Sequence, residues 1–420
     1  MVSAFAFFFL LSSYYIIRPV RDQLSGAVGS SQLPLFYAAT LITILLLTPV
    51  FGWLVARFPR RRLLGWIYSF FILNLLLFIP AFVQQDRIGA RTLGVIFFTW
   101  VSVFNLFAVS LFWSFTADVF DSRRAREVFS LIALAGMAGA IFGPILTSML
   151  IAVLGVAPLL LVSAAMLGVS LALMLLISAQ NSTGTAGEAP VGGSLWAGVR
   201  ELWSRPFLRY MAILMLLGDG VGTLAYALVA DFAKAHFTNA INRTAFYNHL
   251  DLATNLIGAF LQLTLTRWLL MHRGVAWALV LPMLVNVGLL LMVMVGGYAE
   301  IALLGYVIPL LAILIVLSRA FAYGMIKPAV DALYTRVPRE TRYKGKNFVE
   351  TAVWRFGDLV ITSGVSALDK LGAAIGTVAL IGVGIASAAT WVARKAAHAP
   401  DLLPETGANT AKANDVAEQV

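Results

Sequence analysis

The stretch QNSTGTAGEAPVGGS, residues 180–194, decides how the chain is read. It is a polar, glycine-bearing segment with the composition of a flexible linker, set in an otherwise apolar chain. On both sides of it, apolar runs of about 20 residues recur, each long enough to cross a bilayer. Their spacing predicts six helices before it, near 2–24, 33–56, 63–83, 93–119, 127–154 and 157–179. Six more follow, near 206–235, 245–271, 275–296, 300–332, 347–369 and 372–394. The expected fold class is therefore an all-α membrane protein with twelve transmembrane helices as two six-helix bundles, residues 1–179 and 206–396. Residues 180–205 join them. Within this joint Leu195, Val199, Leu202 and Trp203 fall at helical spacing and predict a short amphipathic helix lying on the membrane surface. Residues 397–420 are polar and read as a disordered tail.

Composition supports this division. The chain is 60% hydrophobic and only 12% charged, whereas soluble domains carry roughly 25% charge. The formal charge of +10 could point to nucleic acid, but the charges sit in short loops between apolar runs. That placement is a membrane topology signal, so the expected surroundings are a lipid bilayer, with no nucleic-acid partner. Loops on one side hold seventeen lysines and arginines, among them Arg57, Arg60, Arg61, Arg62, Arg123, Arg124 and Arg126; those on the other hold four, Arg87, Arg91, Arg243 and Lys370. The bias places both termini in the cytoplasm. The first apolar run begins at Met1 without a cleavage-site pattern and reads as a membrane helix rather than a signal peptide. There are no cysteines, which excludes disulfides, thiolate nucleophiles and zinc–thiolate sites.

The halves echo each other. ADVFDSRRAREVFSLIALAGMAG (117–139) and DALYTRVPRETRYKGKNFVETAVWR (331–355) hold matching places, each running helix, acid, basic loop, helix. Arg126 to Gly139 and Arg342 to Arg355 span the same 13 residues. A parallel repeat of two six-helix units resembles the plan of the major facilitator superfamily, which implies a midplane substrate site and alternating access. That superfamily's G-x-x-x-D-x-x-x-R-R loop is matched in part by GWLVARFPRRR, with Gly52 and the basic cluster present but Ala56 in the acid's place.

A charge at the bilayer centre costs at least about 2.5–3.5 kcal/mol, so such residues face a partner or a cavity. The first helix carries Arg18, Arg21 and Asp22 on one face, read as lying at its outer end, with Arg18 spaced to pair with Asp22. Snorkelling at the interface is the bland alternative. The seventh helix carries Asp219, then Asp231 and Lys234, which could neutralise each other; the eighth carries Asp251 and Asn255. The tenth carries Arg319, Lys327 and Asp331, and the eleventh Glu350, Arg355 and Asp358. Glu350 and Arg355 are five apart and each should look elsewhere. Arg18, Arg21, Lys234, Arg319, Lys327 and Arg355 could line one cavity, and guanidinium forks suit phosphate or carboxylate. Asp22, Asp219, Asp231, Asp251, Asp331 and Glu350 then serve as gating or coupling partners. The bland alternative is an interhelical salt-bridge network that holds or gates the bundles.

No G-x-x-x-x-G-K-[ST] loop and no H-E-x-x-H occurs, so neither an ATPase motor nor a zincin site is indicated, and no cofactor or metal is expected. Asp118 and Asp121 of DVFD could hint at a lipid-active enzyme with an aspartate-rich site, but no second acidic motif supports them.

Several stretches together resemble the ATP/ADP translocase (nucleotide transporter) family of plastids and intracellular bacteria, and its relatives in free-living bacteria. YYIIRPVRDQL is similar to its Y-x-I-L-R-x-x-K-D-x-L, with Arg18 and Asp22 matching and Arg21 in the lysine's place. Phe112, Trp113 and Phe115 match its F-W-x-F-A-N, while Asp118 stands in the asparagine region. ADFAKAHF follows its acid-to-lysine pattern one residue short. RYKGKNFVETAVWRFGDLV resembles R-x-K-x-K-x-x-I-D-x-x-x-x-R-x-G-K through Arg342, Lys344, Lys346, Glu350, Arg355 and Gly357, with Asp358 where lysine is usual. The resemblance implies antiport of ATP against ADP and phosphate in a bacterial inner membrane.

The leading expectation is a monomeric secondary transporter for a small anionic, phosphate-bearing solute, with Trp113, Tyr226 and Trp354 as candidates to stack on a ring. The rival is a proton-coupled permease or efflux carrier for another small molecule or amphiphile, using Asp219 or Asp251.

Overall fold

The computed structural model describes residues 1–120, 122–180, 202–303, 305–338, 345–346 and 348–403. The first six long helices are α1 (Val2–Val28), α2 (Leu33–Arg57), α3 (Arg60–Val83), α4 (Ala90–Val119), α5 (Ser122–Leu154) and α6 (Ala157–Gln180), with a single helical turn, Gln85–Ile88, between α3 and α4. Next come α7 (Pro206–His236) and α8 (Ala240–Leu261), the latter prolonged through a π turn (Gln262–Thr266) into Arg267–His272. α9 (Val275–Gly296) is followed by α10 (Leu310–Phe321), which continues through a π turn (Ala322–Ile326) into Lys327–Tyr334. α11 (Trp354–Lys370) is entered through the π turn Val349–Val353, and α12 (Ile375–Ala397) follows.

Among the described residues, ten helices are long and apolar enough to cross a membrane: α1–α7, α9, α10 and α12. α8 and α11 fall short because each carries a polar stripe. The stripes are turned inward, with Arg243, Asn248, Asp251 and Thr254 of α8 and Asp358, Thr362 and Ser366 of α11 all buried.

The tenth helix starts later than its apolar run predicts. Residues 300–309 form an antiparallel hairpin, β1 (Glu300–Leu303) and β2 (Tyr306–Pro309), in the register Glu300 to Pro309 and Leu303 to Tyr306. A short apolar run suits strand or helix equally well. Here Gly305 at φ +82 makes the tight turn, and Pro309, with no N–H, ends the strand and precedes the helix. α1 in turn extends to Val28, four residues beyond the predicted end. Of the predicted surface helix only Leu202, Trp203 and Ser204 are described, and they are helical; Leu195, Val199 and most of the tail lie outside the described residues.

Three apolar cores organise the packing. One runs from Ala4 to Ile177 and draws its buried residues wholly from the first six helices and the turns between them. Another, from Phe207 to Ala399, belongs wholly to the second half of the chain. The third joins them, setting Leu33, Phe36, Tyr37 and Phe98 against α7, α9 and α10. This joining core lies towards the end that bears the hairpin, here called the hairpin face; the opposite end, which receives α6 and sends out α7, is the linker face.

Candidate functional site: a charged cavity between the two sets of helices

A cavity of about 330 Å³ opens where α1, α2 and α4 meet α7, α10 and α11. Its charged lining consists of Arg18, Arg21, Asp219, Arg319, Arg355 and Asp358. Two further carboxylates stand directly behind the arginines. Asp251 Oδ1 lies 3.5 Å from Arg18 Nε, and Arg21 donates from Nε to Asp22 Oδ1 at 2.7 Å. The Tyr226 hydroxyl also donates to Asp22 Oδ1, at 2.9 Å.

Helix phase explains how α1 supplies this chemistry. With α1 prolonged to Val28, Arg18 and Arg21 sit well inside the helix rather than at its outer end. Arg18 is only 4% exposed and Asp22 1%, so neither snorkels. The expected Arg18–Asp22 pair does not form. Asp22 is taken by its neighbour Arg21, and Arg18 turns to Asp251 on α8, across the boundary between the two sets of helices. Pro19 lies inside the helix, where it removes one backbone donor.

On the other wall Arg355 donates to Asp358 Oδ2 at 3.3 Å, and the Thr223 hydroxyl donates to Asp358 Oδ1 at 2.6 Å. The indole N–H of Trp354 donates to Asp219. Arg319 reaches no carboxylate among the described residues; its guanidinium lies 5.0 Å from the centre of the Tyr226 ring. Arg21 stacks similarly on Phe98, at 4.6 Å. These contacts keep the planar groups in place without consuming their hydrogen-bond donors.

Two of the six expected cationic ligands lie elsewhere. Lys234 sits at the hairpin face beside Gly29, because it occupies the last turn of α7. Asp231 does not ion-pair with it and instead accepts the Ser30 N–H at 2.7 Å, tying α7 to the turn after α1. Lys327 belongs to a ring on the linker-face side. Its Nζ lies 2.5 Å from Glu350 and 3.5 Å from Asp331, and Lys346 Nζ lies 2.7 Å from Asp331 and 3.9 Å from Glu350. The members of this ring are a quarter to half exposed, and exposed pairs of this kind contribute about 0.2–1 kcal/mol each.

Of the aromatic candidates, Trp354 lines the cavity. Tyr226 lies behind Arg319, and Trp113 packs in the first core against Phe7, Phe112 and Phe129. Asp121 lies outside the described residues, as do Arg342 and Lys344, and Asp118 is described only in its backbone. Sequence reasoning passed over Tyr14, Tyr15, Tyr37, Thr223, Ser318 and Tyr323, all cavity-lining. The spacing of Tyr14, Arg18 and Arg21 on one face of α1 was the available signal for the first of these. Asp358, three residues after Arg355, is legible as a charge on the eleventh helix and as a departure from a family pattern, but not as part of the site.

The described hydrogen bonds that join the two sets of helices cluster towards the hairpin face. Ser366 donates to the Ser31 carbonyl at 3.2 Å, and Asn248 to the Pro144 carbonyl at 2.9 Å. Nearest the middle, Asn255 donates to the Ala140 carbonyl at 2.7 Å. Asp231→Ala frees the Ser30 N–H and should loosen this face. In a chain without cysteines, a Ser31→Cys reporter then labels severalfold faster with a thiol reagent; equal labelling with and without Asp231 would show that the contact does not hold the face shut.

Among the described residues, no group of three His, Asp or Glu side chains is placed to hold a metal ion. Residues 2–349 match the family model described as Major Facilitator Superfamily. A search of curated proteins returns no significant match. Among solved structures, a bacterial homologue of the iron transporter ferroportin in an inward-facing state superposes with a TM-score of 0.66 at 15% identity, covering 94% of this chain and 97% of that one. The nucleoside transporter NupG gives 0.66 at 11% identity, over 94% and 98% of the two chains. A D-xylose–proton symporter gives 0.63 at 12%, over 96% and 97%. At such identities the likeness is one of fold alone.

Proposed function

Because the chain belongs to the major facilitator superfamily, as a transporter and not an enzyme, we propose that it moves a small anionic solute by alternating access between its two sets of six helices. α8 and α11 count as membrane spans in this reading, giving twelve, since their polar stripes face protein rather than lipid. The excess of basic residues in the linker-face loops puts that face, and both termini, in the cytoplasm. The resemblance to nucleotide transporters of bacteria makes a bacterial inner membrane the proposed location.

One observation carries the reading. Arg18 and Arg319 line the cavity, and among the described residues no group accepts a hydrogen bond from either guanidinium. The buried Arg18 Nε, although 3.5 Å from Asp251 Oδ1, makes no hydrogen bond among the described residues. A guanidinium has five donors in a fixed fork, and desolvated donors left unmade are costly. An anion with two or more oxygens satisfies both. A phosphate-bearing metabolite is the narrower form of the proposal, and a nucleotide exchanged by antiport the narrowest; the latter rests on the resemblance of YYIIRPVRDQL and RYKGKNFVETAVWR to nucleotide transporters.

The test is a thermal-shift screen of the purified protein against nucleotides, sugar phosphates and simple carboxylates, followed by uptake of labelled hits into proteoliposomes. A bound ligand raises the melting temperature, by about 2.7 kcal/mol of stabilisation at a hundred times its Kd. If no anion shifts the melting curve or enters the vesicles, the anion reading is wrong.

A further inference from the structure

We infer that the solute is a zwitterion, carrying an amine as well as an acidic group; this deepens the anion reading above and rests on it. The inference comes from how the charges are divided rather than from their number. Arg18, Arg21 and Arg319 gather with Asp22 and Asp251 on the α1, α8 and α10 side. Arg18 faces Asp251, Arg21 holds Asp22, and Arg319 stacks on the Tyr226 ring whose hydroxyl reaches Asp22. That is three guanidiniums against two carboxylates. On the α7 and α11 side, Asp219 and Asp358 gather with Arg355 alone, joined by Trp354 and Thr223. That is two carboxylates against one guanidinium. The three arginines of the first group and the two acids and Arg355 of the second line the same cavity, with Asp22 and Asp251 behind the arginines.

By formal charge the cavity therefore has a pole with one surplus positive charge and a pole with one surplus negative charge. Each surplus belongs to a group with unused hydrogen-bonding capacity. Arg319 and Arg18 donate no hydrogen bond to protein among the described residues. Asp219 lies within ion-pairing distance of no described lysine or arginine; its hydrogen-bonding neighbours are the neutral Trp354 indole and the Asp358 carboxyl beside it, so the two acids of this pole face each other. A buried charge must be paired or, for an acid, neutralised by a proton. An acidic head group at Arg319 compensates the first pole and leaves the second as it was. A hydroxyl or an amide at Asp219 offers hydrogen bonds but no charge. An ammonium offers both, with three donors, and the carboxylate accepts them in charge-assisted bonds. A bare anion would leave the acidic pole unmatched, and a bare cation would leave Arg319 unmatched.

Matched probes that differ only by the amine test this. Phosphoethanolamine is compared with ethyl phosphate, and β-alanine with propionate, by thermal shift and by competition for uptake in the full chain. The expected result is at least tenfold tighter binding of the aminated member of each pair. Asp219→Asn reduces that preference at least fivefold, and Arg319→Gln weakens both members of each pair. Equal binding of both members, or a preference that survives Asp219→Asn, overturns the zwitterion while leaving the anion reading standing. So does uptake of ethyl phosphate that is driven by an imposed pH gradient and lost in Asp219→Asn, since the acidic pole then carries a proton instead of the amine. Failure of all four probes while an anion of the wider panel binds overturns the zwitterion alone; failure of every probe and of every panel anion sinks the anion reading as well. Should a variant fail to fold, the comparison of paired probes on the unaltered protein decides the matter.

Discussion

Replacing Arg319 by glutamine lowers affinity for the anionic solute roughly ten- to a hundredfold, because hydrogen bonds to charged groups contribute about 1.5–3 kcal/mol and each 1.4 kcal/mol is tenfold. The protein itself should tolerate the change well. Arg319 has no carboxylate partner among the described residues and touches the face of Tyr226 instead, so its removal strands no buried opposite charge. Glutamine keeps a planar amide of similar reach while removing the positive charge. Lysine keeps the charge and loses the fork, and should recover only part of the affinity. The measurement is ligand-induced thermal shift alongside proteoliposome uptake. Unchanged affinity in Arg319→Gln would remove this residue from the site.

The second large effect falls on stability. Asp251→Asn leaves Arg18 buried without its counter-charge, and breaking a buried pair by altering one partner costs about 3–5 kcal/mol. The loss should appear as a lower melting temperature in detergent. Arg18 Nε and Asp251 Oδ2 already lack hydrogen-bond partners, so this pair is held by charge rather than by a well-made bond. Removing both charges together, as Arg18→Met with Asp251→Leu, should restore most of the stability, since apolar replacement of a buried pair is often neutral or better. That double variant should nevertheless transport poorly, because the Arg18 fork is gone. If Asp251→Asn melts with the parent protein, Arg18 has another source of compensation.

These expectations rest on a pairing that no local pattern revealed. Charges inside apolar runs are legible one by one, since their cost in a bilayer demands a reason. Four of the six cations singled out this way, Arg18, Arg21, Arg319 and Arg355, do line the cavity. Their partners were harder to read. The i, i+4 rule pointed Arg18 at Asp22, but Arg21 lies closer to Asp22 and Asp251 approaches from a helix more than 200 residues away. Helix ends were the other weak point. Lys234 and Lys327 were placed in the cavity as though every charge on a membrane helix sat near its middle. Lys234 belongs to the last turn of α7, and Lys327 follows the π turn of α10, beyond the cavity. The hairpin at 300–309 escaped notice because EIALLGYVIP is as apolar as the helix it precedes. The weaker apolarity of α8 and α11 has the same root as the site itself, for the polar stripes that lower it supply Asp251, Arg355 and Asp358.

The even count of charges around the cavity has an electrical consequence. Four guanidiniums stand against four carboxylates, so by formal charge the unloaded wall is neutral. A membrane potential exerts about 2.3 kcal/mol per elementary charge per 100 mV, and it finds no net charge on the wall to pull on. Voltage then acts on the cargo alone. Uptake of a net-neutral solute should run at the same rate when a potassium-diffusion potential is imposed on the vesicles as when it is not. Flux of a solute carrying one excess negative charge should respond to that potential in proportion to its own charge.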